Sequence, residues 1–268
     1  MRETDVELAI RAAEIGAGVA RAMYGTRMER FAKPADDFAT EADIAAEEAI
    51  MTVLREARPH DAFLGEESGE FGDATSDRRW LVDPLCGTLN YAAHTPLAAV
   101  NVALRAGDRL TIAVAADPLS GEVFWTDGEG VLVRSVGRDV PLRPDPTSSL
   151  VDLNLNSPFP NKNWFLAANL LTDDDFMSMF DARVLSTTLA LTWVAAGRRA
   201  AYITDGHLHG SVHFSSGIAL CQAAGCVVTN LAGGPIHTGV QGLIAAADAT
   251  VHAELLNLLS PPSDSEPT

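Results

Sequence analysis

The residues best able to do chemistry gather around one aspartate. Asp83 closes the apolar run Trp80-Leu81-Val82, and Pro84, Leu85, Cys86, Gly87 and Thr88 follow it. A carboxylate at the end of a strand can ligate a hard cation, and the unpaired N–H groups of a helix that begins just beyond it can receive a phosphate. Gly65-Glu66-Glu67-Ser68 supplies two more carboxylates, and Asp43 and Glu47 stand one helical turn apart. Cys86 and His213 complete the reactive set. A thiol and an imidazole are the minimum nucleophile–base pair, and the same groups are ligands for a softer metal.

Positioning these groups takes a strand for Asp83 and helices around it. Leu8, Ala9, Ala12, Ile15, Val19 and Met23 recur at helical spacing, which predicts a first helix over Val6 to Met23. A second helix is predicted over Asp43 to Ala57, with Ile44, Ala45, Ile50, Val53 and Leu54 as its buried stripe. After Gly87-Thr88, the segment Leu89 to Ala99 can begin as a helix before Pro96. Val100 to Arg105, Leu110 to Ala115 and Glu122 to Trp125 read as an antiparallel meander, and Gly128 to Val136 adds a short strand pair. Arg143 to Ser149, rich in Pro, Asp and Ser, marks a subdomain boundary. Beyond it, strands are predicted over Val151 to Asn156, Ala200 to Thr204 and Cys226 to Asn230. Helices are predicted over Trp164 to Leu171, Leu189 to Ala196 and Ser215 to Ala224. This alternation implies a layered α/β arrangement. Asp173-Asp174-Asp175 reads as a solvated helix N-terminus, and Cys221 and Cys226 as packing residues.

The 268 residues suffice for one large α/β domain or two subdomains sharing a core. A net charge of −17 argues against a nucleic-acid backbone or an anionic membrane as partner. Small phosphorylated ligands stay compatible, because a cation or a helix terminus reverses the local sign. No stretch is long enough to span a bilayer, and the run containing Glu3, Asp5 and Glu7 lacks the basic flank and apolar core of a signal peptide. Three cysteines give no paired framework, so a reducing cytoplasm is the expected compartment.

Four pieces of the chain, in order, resemble the inositol monophosphatase superfamily. Lys33, then Asp37-Phe38-Ala39-Thr40-Glu41-Ala42-Asp43 and Glu47, is similar to D-x-V-T-x-A-D-x-x-x-E; Gly65-Glu66-Glu67-Ser68 is identical to G-E-E-S. Asp83 to Tyr91 follows D-P-x-D-G-T-x-N-[FY] apart from Cys86, with Pro96 and Val100-Asn101-Val102-Ala103-Leu104 at the expected distance. Val212-His213-Phe214-Ser215-Ser216-Gly217 and Ala224-Gly225 occupy the place of W-D-x-A-A-G and A-G-G. The resemblance implies an αβαβα sandwich of the inositol monophosphatase / fructose-1,6-bisphosphatase type, a homodimer, and magnesium-dependent hydrolysis of a small phosphomonoester. It implies one metal on Glu66, Asp83 and the Leu85 carbonyl, a water oriented by Thr88 and Asp43, and a phosphate on Gly87 and Thr88. Asp205 corresponds to the acid that binds substrate hydroxyls.

The same resemblance places Cys86 and His213 where the second metal takes two aspartates. Magnesium prefers oxygen ligands in octahedral geometry, so a thiol and an imidazole suit it poorly. Losing a cation that stabilises the leaving oxygen costs roughly a thousandfold in rate. Four readings stand open: inert fillers in a non-catalytic binding protein; a zinc site on Asp83, Cys86 and His213 with help from His207 or His209; a catalytic Cys86 paired with His213; and a weakened phosphatase on the intact half. The leading expectation is a repurposed enzyme acting on a small polar, phosphorylated metabolite, with Cys86, His213, Asp43 and Thr88 catalytic. The expected cofactor is at most one divalent cation, magnesium or zinc, at Glu66 and Asp83. The expected organisation is an N-terminal α+β subdomain over 1–145, a C-terminal α/β subdomain over 146–260 and a disordered tail over 261–268.

Overall fold

The computed structural model describes residues 3–33, 38–155 and 166–259. Asp37, Trp164 and the tail 261–268 of the sequence reading lie outside the described residues. The first helix, α1 (Asp5–Met23), begins at Thr4, whose side chain accepts the Glu7 N–H. A small hairpin of β1 (Arg30–Ala32) and β2 (Phe38–Thr40) leads into α2 (Glu41–Ala57). Then come β3 (Ala62–Gly65), β4 (Gly69–Gly72), β5 (Arg78–Cys86), the short α3 (Thr88–Ala92), β6 (Ala99–Ala106), β7 (Arg109–Ala116), β8 (Val123–Thr126), β9 (Leu132–Ser135) and β10 (Arg138–Pro141). They form one sheet in the order β10-β9-β8-β7-β6-β5-β3-β4, antiparallel except between β3 and β5. The meander read from the sequence is its centre.

The second half begins with β11 (Leu150–Asn154), α4 (Leu166–Asn169), α5 (Asp174–Met179) and β12 (Asp181–Val184). It continues through α6 (Leu189–Ala195), β13 (Ala201–Thr204), α7 (Val212–Ala224), β14 (Val227–Thr229), β15 (Leu243–Ala246) and α8 (Ala249–Leu259). The second sheet runs β12-β11-β13-β15-β14, parallel across β12, β11 and β13 and antiparallel at β15. Asp173 caps α5 by accepting the Phe176 N–H, so the acidic run is a solvated helix start, as its composition implies.

Three large apolar cores tie five layers together, the middle one spanning two interfaces. The first joins α1 and α2 (Leu8, Ile50, Leu54) to one face of the large sheet (Trp80, Val82, Val102, Val114). The second joins the opposite face (Leu81, Ala103, Phe124) to α6, α7 and Tyr202 of the second sheet. The third packs the far face of that sheet (Val151, Ile203, Ile244) under Phe176, Leu255 and neighbouring helical residues. The order α–β–α–β–α is the layered sandwich expected from the sequence. Cys221 and Cys226 lie in the second core, as packing residues do.

Some local expectations change. Ile44 does not join the buried stripe of α2; it is 42% exposed, because Ala42, Asp43, Ala46, Glu47 and Ile50 form the inward face and Ile44 lies off it. As expected, the segment after Gly87 begins as a helix that ends before Pro96, at Ala92, and β6 begins at Ala99. Helix α7 opens at Val212 rather than Ser215, which puts His213 in its first turn instead of in a preceding loop.

Candidate active site

Strand β5 delivers Asp83 and Cys86 to one edge of the buried layer. Asp83 is fully buried, and pairing with β6 slips between Asp83 and Cys86, a bulge spanning Pro84 and Leu85. Proline has no N–H to give the ladder, so the chain bends there and re-aims the groups that follow. The Leu85 N–H then donates to Asp83 Oδ1 at 3.1 Å. Gly87 takes φ +100°, and a Cβ at that position would stand 2.6 Å from the Leu97 carbonyl oxygen. Only glycine turns the chain tightly enough to start α3 beside this carboxylate.

The intact half of the expected site is assembled. Thr88 Oγ1 stands 3.0 Å from Asp43 Oδ1 and 3.1 Å from the Leu85 carbonyl oxygen. The Thr40 N–H donates to Asp43 Oδ2 at 2.8 Å, and the Thr40 hydroxyl also donates to that oxygen. Asp43 thus both completes the capping box that Thr40 opens at the start of α2 and partners Thr88, with its carboxyl pushed up by burial against these hydrogen bonds. One turn on, Glu47 accepts the N–H groups of Glu67 and Ser68 at 2.8 and 2.7 Å, which fixes the loop carrying Glu66. Lys33 donates to Glu66 at 2.9 Å and to Glu67 at 2.6 Å.

Buried carboxylates at the centre outnumber its two cations, Lys33 and His213. Burial, and then the charge of Asp83, push the Glu66 carboxyl up to about 8 despite Lys33 and His213. Burial also opposes ionisation of Asp83, but the charge and hydrogen bond of His213 outweigh it and hold that carboxyl below the usual range. Two crowded carboxylates with the Leu85 carbonyl beside them are an oxygen donor set suited to one hard divalent cation. The residues therefore fit the first of the metals that the resemblance implies, and Glu66, Asp83 and Leu85 would hold it.

The altered half is also brought together. His213 Nδ1 lies 2.8 Å from Asp83 Oδ2 and 3.9 Å from Glu66 Oε2. Ligating atoms of Asp83, Cys86 and His213 all lie within 4.8 Å of one another. Burial works against a charged imidazole, yet the Asp83 carboxylate, with Cys86 and Glu66, raises His213 well above its ordinary value. Burial and the Asp83 charge push the Cys86 thiol up. Cys86 ends a buried strand and sits beside a carboxylate, and both oppose a thiolate there. A protonated thiol facing an imidazolium already committed to Asp83 is the reverse of a ready nucleophile–base pair.

Other expected residues are placed differently. Asp205 is buried, and its two oxygens accept the Leu166 and Ala167 N–H groups at 3.2 Å each, capping α4. Burial pushes its carboxyl up. His207 borders the same cavity without joining the cluster, and His209 packs its ring against His237, centroids 5.1 Å apart. Neither assists Asp83, Cys86 and His213. The cavity, about 250 Å³, is lined by Glu66, Cys86, Thr88, Asp205 and His213 among others.

Two supporting residues carry no role in the sequence reading. Asn101 Nδ2 donates to Thr188 Oγ1 at 2.9 Å and approaches Asp83 Oδ2 at 3.4 Å. The Thr188 N–H donates to Cys86 Sγ at 3.4 Å. Asn101 breaks an otherwise apolar run in β6, a signal of a buried polar role; Thr188 offers none.

Comparison with known proteins agrees with this geometry. The profile described as "Inositol monophosphatase family" matches residues 1–261. A protein named Nus factor SuhB from Pasteurella multocida is 32% identical over 267 residues, 96% of each chain. An inositol-1-monophosphatase from Caulobacter vibrioides is 33% identical over 242 residues, 87% of this chain and 91% of its own. Among solved structures, the extragenic suppressor protein suhB of Bartonella henselae superposes with TM-score 0.82 at 25% identity, covering 96% of this chain and 98% of that one. The inositol monophosphatase of an Anabaena (Nostoc) species superposes with TM-score 0.76 at 24% identity, 96% of both, which speaks to the fold. On profile, sequence and fold together, this chain belongs to the inositol monophosphatase family.

Proposed function

We propose that the protein is a divergent enzyme of this family that hydrolyses a small phosphorylated metabolite, with an intact water-activating half and a remodelled leaving-group half. The observation that carries this reading is the Thr88–Asp43 hydrogen bond of 3.0 Å beside the buried Glu66–Asp83 pair. A hard divalent cation on Glu66, Asp83 and the Leu85 carbonyl would supply Lewis acidity for water attack at phosphorus. Thr88 donates its proton to Asp43 and leaves its oxygen lone pairs to accept from the water, which orients the nucleophile. First-turn N–H groups at Gly87 and Thr88, with no intrahelical acceptor, face the phosphate. Asp205 closes the cavity wall through its hold on α4. Cys86 and His213 replace magnesium chemistry on the leaving-group side, so the intrinsic rate is low. In the same reading the protein works as a homodimer on a small molecule, in a reducing compartment that keeps its three free thiols reduced.

Phosphate release from a panel of inositol and sugar phosphates tests this. Release with magnesium in the wild type, lost in Glu66→Gln and Thr88→Ala, supports the hydrolase; no release with magnesium, manganese or zinc rejects it. A second reading is a non-catalytic binding protein, or a Nus factor as the SuhB relatives are named, given their 30–32% identity over nearly the whole chain. That reading requires retained partner binding in the variants that abolish turnover.

A further inference from the structure

We propose that Asp83, Cys86 and His213 form a site for one thiophilic divalent cation of the zinc class, in place of a second magnesium. This goes beyond the hydrolase reading and does not depend on turnover. The two ligand residues on β5 are set by the bulge between them, and the third comes from the first turn of α7. Their ligating atoms lie within 4.8 Å of one another, and this is the one such group of three or more His, Cys, Asp or Glu among the described residues. Ligands held ~2.0–2.3 Å from a single tetrahedral zinc stand roughly 3.3–3.8 Å from each other, so side-chain movements on the order of 1 Å close the set.

The donor set decides the metal. One thiolate, one imidazole and one carboxylate match zinc and its congeners, whereas magnesium demands oxygen ligands and octahedral geometry. A carboxylate, a thiolate and a neutral imidazole also cancel a double positive charge, which suits a buried position. On binding, the thiol proton and the proton shared between His213 and Asp83 leave to solvent.

The surroundings support a built site. Cys86 Sγ accepts the Thr188 N–H at 3.4 Å, Asp83 Oδ1 accepts the Leu85 N–H at 3.1 Å, and Asn101 links Thr188 to Asp83. Outer partners of this kind orient ligands and raise affinity. Three protein ligands leave a further position facing the cavity of about 250 Å³ that Cys86, His213 and Thr88 line. An open position distinguishes catalytic zinc sites from closed structural ones.

The test is titration of the chelator-treated full chain with cobalt(II), then zinc. The expected result is one cobalt per chain with a thiolate-to-cobalt charge-transfer band, displaced by zinc and unaffected by excess magnesium. Cys86→Ser removes the band, His213→Ala weakens zinc binding by more than the roughly 10–100-fold that loss of an outer partner costs, and Cys221→Ala and Cys226→Ala leave both intact. Circular dichroism confirms that each variant is folded. No band on the folded wild type, a band that survives Cys86→Ser, or displacement by magnesium overturns the site. Zinc binding without phosphate release removes the hydrolase reading and keeps this one; release with magnesium and no zinc or cobalt binding does the converse.

Discussion

At the scale of single residues, the site is a balance between buried carboxylates and too few cations. Glu66 sits at about 8 against an ordinary 4.5, so in the cation-free protein the folded state binds the extra proton across that window. Stability then falls as pH rises from about 4.5 to about 8. His213 adds the same sign: its contribution is complete below its ordinary 6.5 and is lost as pH rises through its higher folded value. Asp83, held below 3.8, acts only in acid. The melting midpoint in chelator is therefore expected to drop between pH 6 and 8, and a divalent cation to shrink the drop. A flat or rising midpoint in thermal scans contradicts this picture. Gly87 makes a second residue-scale prediction. Alanine there must hold φ near +100° with its Cβ 2.6 Å from the Leu97 carbonyl, so Gly87→Ala is expected to lose about 1–3 kcal/mol in urea denaturation. Asp83, Glu66, Asp43, Thr88 and the changed pair were all legible, because the motifs name them in order. The electrostatics of Cys86 were not: its thiol state depends on burial and on how closely the Asp83 charge approaches it, which spacing does not give.

At the scale of elements, position follows from how each one starts and stops. Helix α2 begins at a threonine whose N–H and hydroxyl both bind Asp43. Thr40→Ala is thus expected to cost about 1 kcal/mol of stability as a lost cap. It is also expected to lower phosphate release severalfold, because Asp43 loses a restraint on the oxygen pair that meets Thr88. Equal turnover in the variant and the wild type shows that the cap and the site are independent. Long periodic elements such as α1 and α2 could be read from the chain, since their apolar stripes repeat over several turns. The short β1–β2 and β3–β4 hairpins and the edge strand β12 could not, because three or four residues carry no period. The start of α7 was misread for a related reason. Val212, His213 and Phe214 precede the apolar stripe, so only tertiary packing shows that they are helical.

At the scale of the whole molecule, the layered order explains why the site has contributions from both halves. Strand β10 ends at Pro141 and β11 opens at Leu150, so the chain crosses from one sheet to the other between them. The middle core nevertheless mixes Leu81 and Phe124 with Leu189, Tyr202 and Ile218, which ties the sheets together through α6 and α7. Asp83 comes from one side of this core and His213 from the other, and their 2.8 Å contact closes the site across it. Layer order could be inferred from the alternation of elements and from the family resemblance, which also brings Asp83 and His213 into one site; their direct hydrogen bond could not, since 130 residues separate the partners. The central claim is that the intact half still activates water while the Cys86–His213 exchange withdraws the second magnesium. The most direct measurement is magnesium-dependent phosphate release by the double variant Cys86→Asp, His213→Asp against the wild type. The expected result is a rise on the order of 100- to 1,000-fold, from recovered stabilisation of the leaving oxygen. An unchanged or lower rate in a folded double variant contradicts the account.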